Sequence, residues 1–117
     1  MKGKLNLKLL NNSNAVYNLN RIEYLQDNNV IEFTDNKDCY RINLNEKYFI
    51  KENDEFIFNL NIENKTCTYL LKEIDNLFDI NVLECSLEET KNKIKIEYKI
   101  ESNEEKNIIE IELIEEV

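Results

Sequence analysis

Lys93-Ile94-Lys95-Ile96-Glu97-Tyr98-Lys99-Ile100, followed by Ile109-Glu110-Ile111-Glu112-Leu113, decides the fold class. Every second residue of both runs is apolar, and those between them are charged. A strand shows alternate residues to opposite faces, so this period sets one face on a core and the other in water. Pairing Ile100 with Ile109, Tyr98 with Ile111 and Ile96 with Leu113 puts Lys99 opposite Glu110 and Lys95 diagonal to Glu112. A slip of one residue would turn Glu110 and Glu112 against the apolar stripe, so the pattern predicts this register.

The same period runs outward through the chain. Leu5, Leu7 and Leu9 alternate with lysine and asparagine. Ile22 and Tyr24, Ile31 and Phe33, and Tyr40, Ile42 and Leu44 form three more stripes. Tyr48 with Ile50, Phe56 to Ile62, Cys67 with Tyr69 and Leu71, and Phe78 with Ile80 and Val82 follow. Two segments depart. Leu70, Leu71, Ile74, Leu77 and Phe78 also fit helical spacing, but Asp75-Asn76 is a turn signal, so strand-turn-strand is predicted. After Val82 the inward parity changes to Cys85 and Leu87, which one extra residue near Leu83 explains as a β-bulge.

Short polar segments separate the runs, among them Asn11 to Asn14, Asp27-Asn28-Asn29, Asp35 to Asp38, Asn45-Glu46, Glu52 to Asp54, Asn64-Lys65 and Ser102 to Asn107. The chain has one glycine and no proline. Asparagine and aspartate are the other residues that best tolerate left-handed turn conformations. Asn76 and one of Asn28 or Asn29 are therefore expected at positive φ. Asp35-Asn36-Lys37-Asp38 offers oxygens that suit calcium, but it lacks the spacing and terminal glutamate of an EF-hand loop and reads as a turn. Eight to ten evenly spaced strands predict a single all-β domain over residues 1–117, an antiparallel meander closing as a barrel or sandwich.

Composition bounds the chemistry. The 117 residues contain no histidine and no tryptophan. Without histidine there is no Ser-His-Asp triad, no Cys-His pair and no imidazole metal ligand. Without glycine-rich loops there is no phosphate cradle. Fifteen basic and twenty-four acidic side chains give a net charge of −9. That excess opposes binding to nucleic acid or to an anionic membrane surface. The excess is concentrated in one half: eight basic and nine acidic residues in 1–58, against seven and fifteen in 59–117. The cysteines, Cys39, Cys67 and Cys85, form no Cys-x-x-Cys and sit inside strand-like runs, so buried free thiols are expected. Arg21 and Arg41 alternate to outward faces, where surface ion pairs are expected. No transmembrane-length or signal-like apolar run occurs, and a soluble cytoplasmic protein is the expectation.

Thr68-Tyr69-Leu70-Leu71, Ile74-Asp75-Asn76, Phe78-Asp79-Ile80-Asn81-Val82 and Lys95-Ile96-Glu97-Tyr98-Lys99-Ile100 come in the order of the closing strands of the YwiB-like family of uncharacterised bacterial proteins, and the chain resembles that family over residues 66–114. Lys4 to Leu9 is similar to the family's first strand. Ile74 and Asn76 stand where the family's turn has proline and glycine, and its threonine is absent near Leu83. The resemblance implies a calycin-like, lipocalin-type barrel. It implies no catalytic residue and no cofactor.

Tyr24, Tyr40, Tyr48, Tyr69 and Tyr98, with Phe58, fall on the predicted inward faces and are the candidate ligand-binding residues. A buried tyrosine needs a partner for its hydroxyl. Either these rings line a cavity for a small apolar or amphipathic molecule, or they fill a small barrel whose hydroxyls reach water at the rims. In the second case the protein would act through its acidic surface or a sheet edge, which could also join two copies. No metal site, cofactor or catalytic residue is expected. A carboxylate at the interior would require Glu84 to turn inward at the bulge.

Overall fold

In a computed structural model the protein is a closed antiparallel barrel of ten strands, with residues 2–12, 14–101 and 105–114 described. The strands are β1 (Lys2–Asn11), β2 (Asn14–Asp27), β3 (Val30–Asp35), β4 (Asp38–Asn43), β5 (Tyr48–Glu52), β6 (Phe56–Asn61), β7 (Thr66–Leu71), β8 (Asn76–Glu89), β9 (Lys93–Ile100) and β10 (Lys106–Ile114). Each pairs with its neighbour in sequence, and β1 pairs with β10 to close the ring. No helix of the described residues is long and apolar enough to cross a membrane.

The period-two stripes form the core. Leu5, Leu7, Ile31, Ile42, Leu60, Ile94, Ile96 and Ile111 are fully buried, and no polar or charged residue joins them among the described residues. Burying each such aliphatic side chain contributes about 1.5–3 kcal/mol. The outer faces carry the charges between the stripes. Arg41 and Glu32 stand directly opposite each other on β4 and β3 and form an exposed ion pair at 3.2 Å.

Two long strands turn the corners. β2 pairs with β1 from Asn14 to Leu25 but with β3 only over Tyr24–Asp27. β8 pairs with β7 up to Asn81 and with β9 from Val82 onward. The register shifts between Val82 and Glu84, so the bulge expected near Leu83 is present and leaves Leu83 exposed. On β2 a register shift lies opposite Leu5 to Leu7. There Arg21 adopts φ 57°, and its backbone N–H donates to Asn6 Oδ1 at 2.9 Å. Such shifts bend a strand and let one strand serve two sides of a barrel.

The single glycine has a packing reason. Gly3 lies opposite Tyr24, and a Cβ there would meet the Tyr24 ring and hydroxyl at 2.7 Å. The tyrosine lies across the glycine backbone.

Residues 70–78 are strand-turn-strand, as read from the sequence. Three other expectations need correction. The β9–β10 register is displaced by four residues: Ile96 pairs with Ile109 and Ile94 with Ile111. Lys99 therefore faces Lys106, Lys95 faces Glu110 and Lys93 faces Glu112. Four is an even shift, so the apolar faces remain inward. The alternation fixes the face but cannot distinguish even displacements. Ladder partners on β1 break the tie, since Leu5, Leu7 and Leu9 meet Leu113, Ile111 and Ile109. Next, positive φ occurs at Asn28 as expected, but at Asp75 (48°) and not at Asn76. The β4–β5, β6–β7 and β7–β8 connections each span four residues, and in all three the last is left-handed: Lys47, Lys65 and Asp75. Position in the turn outweighs residue preference. In other turns Asn12, Asn28 and Asn36 are the left-handed residues, and asparagine also contributes as an acceptor. Asn43 Oδ1 accepts from the N–H groups of Asn45 and Glu46, and Asn53 Oδ1 from those of Glu55 and Phe56. Last, Cys67 is buried and Cys85 half-buried, but Cys39 is exposed, facing outward between Thr34 and Glu52. Of the expected turn residues, Ser13 and Ser102 to Glu104 lie outside the described residues.

Candidate functional site

One end of the barrel is lined by rings. Tyr40 on β4 stacks on Phe33 of β3 with centroids 4.7 Å apart. Phe49 of β5 follows at 6.2 Å, and Phe58 of β6 lies a further 6.2 Å on, edge to face. Phe58 then meets Tyr98 of β9 at 5.9 Å. β6 and β9 are not ladder neighbours, so this last contact crosses the lumen. Phe56 and Tyr69 stack at 5.1 Å beside it. Above the rings is a half-open cavity of about 260 Å³. Its wall is completed by Leu9, Leu10, Val16, Asn107, Ile108 and Ile109. Asn11, Asn107 and Glu105 form a polar cluster on β1 and at the β10 end, with the Asn11 amide donating to Glu105 Oε2 at 2.7 Å and Asn107 Oδ1 at 3.1 Å.

Of the polar side chains in this wall, which include Tyr69, Tyr98 and Asn107, two stand out. Tyr40 is 2% exposed, and its hydroxyl is buried without a hydrogen-bond partner. Burial, and then the nearby Asp38, Tyr17 and Asp35, push its pKa well above the ordinary tyrosine value, so it remains a donor. Lys51 of β5 lies between Tyr40 and Phe58 in the adjoining ladders, with Nζ 5.5 Å from the centre of the Tyr40 ring. Tyr98 is pushed up to about 12, chiefly by burial. Cys67 is raised to about 11 by burial and by Cys85, whose Sγ donates to the Ile62 carbonyl at 3.3 Å.

Four of the six candidate residues, Tyr40, Phe58, Tyr69 and Tyr98, come together at this cavity. Tyr24 is buried but lies elsewhere, over Gly3. It lines a second open cleft of about 910 Å³ with Lys2, Lys4, Arg21, Glu23 and Glu32, which Tyr40 also borders. Tyr48 is a correction: it lies on the outer face, beside Asn28, Arg41 and Asn43. Phe49 takes the inward position, paired with Ile42 and Leu60. Tyr48-Phe49-Ile50 is an unbroken apolar run, so alternation does not choose its face. Reading Phe49 inward also turns Lys51 inward, which simple patterning disfavours. The sequence reading therefore missed Phe49 and Lys51 together. Glu84 stays outside at the bulge and is exposed.

No family model, no curated protein and no solved structure matches this chain.

The described residues contain no group of three or more cysteine, aspartate or glutamate side chains placed to hold a metal ion. What the cavity offers is an aromatic wall, a buried hydroxyl donor and a lysine. Those groups suit binding of a molecule with an apolar body and a polar end.

Proposed function

We propose that this chain is a binding module, without catalysis, that holds a small apolar or amphipathic molecule in the aromatic end of its barrel. The observation that carries the reading is an aromatic-walled cavity of about 260 Å³ with Tyr40 and Lys51 in its wall, where the Tyr40 hydroxyl is buried without a partner. Buried polar groups are nearly always hydrogen-bonded, and leaving one unpaired costs about 1–3 kcal/mol. A ligand acceptor would recover that cost. The ten-strand closed meander supports placing the chain with calycin-like barrels of the YwiB-like type. Three free cysteines support a reducing, cytoplasmic setting. Charged outward residues such as Lys95, Glu97, Glu110 and Glu112 are the reverse of a lipid-facing barrel wall. With the acidic excess, they support a reading without membrane or nucleic-acid partners. The test is incubation with a mixed metabolite pool followed by native mass spectrometry. A small molecule retained by the wild type and lost from Tyr40→Ala is expected, and a chain that emerges empty from the pool overturns the reading.

A second reading rests on β8. Ile74, Leu77, Phe78 and Leu83 are exposed in the β7–β8 turn and along that strand. Up to Asn81, the half that carries Leu77 and Phe78, β8 has a ladder partner only on the β7 side, and from Val82 onward only on the β9 side. An exposed apolar half-edge suits a protein partner or a second copy. Sedimentation analysis decides on self-association: a mass near twice 14.0 kDa supports it.

A further inference from the structure

We infer that the molecule held in the barrel end is a small monocarboxylate whose head group is received by Lys51. The inference rests on the binding reading above. It starts from the position of β5. That strand turns Phe49 and Lys51 inward, so a cation stands beside an aromatic cavity. An ammonium group at an apolar wall is suited to pairing with an anionic head group.

Among the described residues, five lysines on the outer surface have a carboxylate within 4.0 Å, and several exposed ones have none; Lys51 differs from these in standing beside the aromatic cavity. Lys72 pairs with Glu52 at 2.8 Å, Lys95 with Glu97 at 2.9 Å and Lys106 with Glu97 at 3.0 Å. Lys51 has no carboxylate partner among the described residues, although the chain carries a net charge of −9. Its contact is the face of the Tyr40 ring, which steadies an ammonium group without neutralising it. The hydroxyl of that same tyrosine is the buried donor without a partner. One cation and one neutral donor can serve the two oxygens of a single carboxylate, one each. A phosphate dianion would call for more donors, and both arginines lie on outward-facing positions.

Volume sets the size. A cavity of 260 Å³ equals about nine water volumes at ~30 Å³ each. That fits an aromatic or short aliphatic acid of roughly ten non-hydrogen atoms. The ring-lined wall receives the apolar body, and Lys51 at its margin receives the head.

The probes are 3-phenylpropionate and its neutral isostere 3-phenylpropionamide, titrated calorimetrically at pH 7 into wild type, Lys51→Met and Lys51→Arg. Circular dichroism checks that each variant retains the wild-type fold. Wild type is expected to bind the acid roughly tenfold or more tightly than the amide, the ratio for one charge-assisted contact. Lys51→Met should bring that ratio near one while amide affinity stays within about twofold, and Lys51→Arg should keep most of the preference. Equal binding of acid and amide by wild type overturns the inference and leaves the cavity reading standing. So does an acid preference that survives Lys51→Met. Should neither probe bind, the molecule retained from the metabolite pool decides. A retained acid supports the inference, a neutral or cationic molecule overturns it alone, and an empty chain overturns both.

Discussion

Replacing Tyr40 by phenylalanine removes one oxygen and tests whether the barrel is built for stability at this point. The ring contacts survive, because stacking on Phe33 at 4.7 Å and the approach to Phe49 at 6.2 Å involve the ring and not the hydroxyl. The Lys51 ammonium still lies over the ring face. What disappears is a buried hydroxyl without a partner, a group whose desolvation costs about 1–3 kcal/mol. The void left by one oxygen is small and offsets part of that gain. Ligand-free Tyr40→Phe should therefore be more stable than wild type by about 1–2 kcal/mol. With a urea m-value of about 1–3 kcal/mol/M, the unfolding midpoint rises by roughly 0.3–2 M. Urea titration of ligand-stripped protein, followed by far-ultraviolet circular dichroism, reads this directly, and an unchanged slope shows that the comparison is of stability alone. If the hydroxyl serves a ligand, the same variant binds that ligand more weakly, so stability and affinity move in opposite directions. A Tyr40→Phe protein less stable than wild type by about 1 kcal/mol would refute the reasoning, since the hydroxyl would then have a partner in the empty barrel.

Three further outcomes follow from the packing. Phe49→Ala should cost about 3–5 kcal/mol, as expected for a buried ring, whereas Tyr48→Ser should cost under about 1 kcal/mol; comparable losses in urea unfolding would contradict the assignment of β5 faces. Gly3→Ala should destabilise by about 1–3 kcal/mol, because the new methyl overlaps the Tyr24 ring, which is 6% exposed and must leave its packed position. Tyr24→Leu in the same chain should relieve most of that cost, and a double-mutant cycle with no coupling would remove the explanation. Stability should be full below pH about 9 and fall between about pH 9 and 12. The folded chain keeps the Cys67 proton to about 11 and the Tyr98 proton to about 12, against ordinary values of 9.0 and 10.0, so the unfolded chain sheds them first and rising pH favours it. Each group steepens the fall by up to about 1.4 kcal/mol per pH unit, and Cys67→Ala should flatten its lower part.

The sequence carried the fold further than the site. Alternation of Leu5, Leu7 and Leu9, or of Ile94 and Ile96, states which residues are buried, because one misplaced residue would expose the whole stripe. Polar breaks state where the chain turns. Neither distinguishes registers that differ by an even number of residues. The β9–β10 pairing consequently moved by four while every face stayed correct, and Lys99 ended opposite Lys106 instead of Glu110. Lys106 turns aside to Glu97 at 3.0 Å, so the like-charge pair imposes little penalty and charge does not select the register. At β5 the limit is different. Three consecutive apolar residues leave the face to be chosen by partners distant in sequence, here Ile42 and Leu60.

The two features that local rules disfavour, an inward lysine and an unpartnered buried hydroxyl, occur at the same place. The remaining core is composed of apolar side chains with no buried polar or charged residue among those described. Chance departures would be scattered around the barrel, on strands unrelated to any cavity. Lys51 and Tyr40 are instead ladder partners, in contact across one ring face, and both line the aromatic cavity. Local inconsistency that collects at one cavity is the pattern expected where stability has been traded for binding. A single acceptor-bearing ligand would complete both groups at once, the ammonium by charge and the hydroxyl by hydrogen bonding, which no apolar filling of the barrel does.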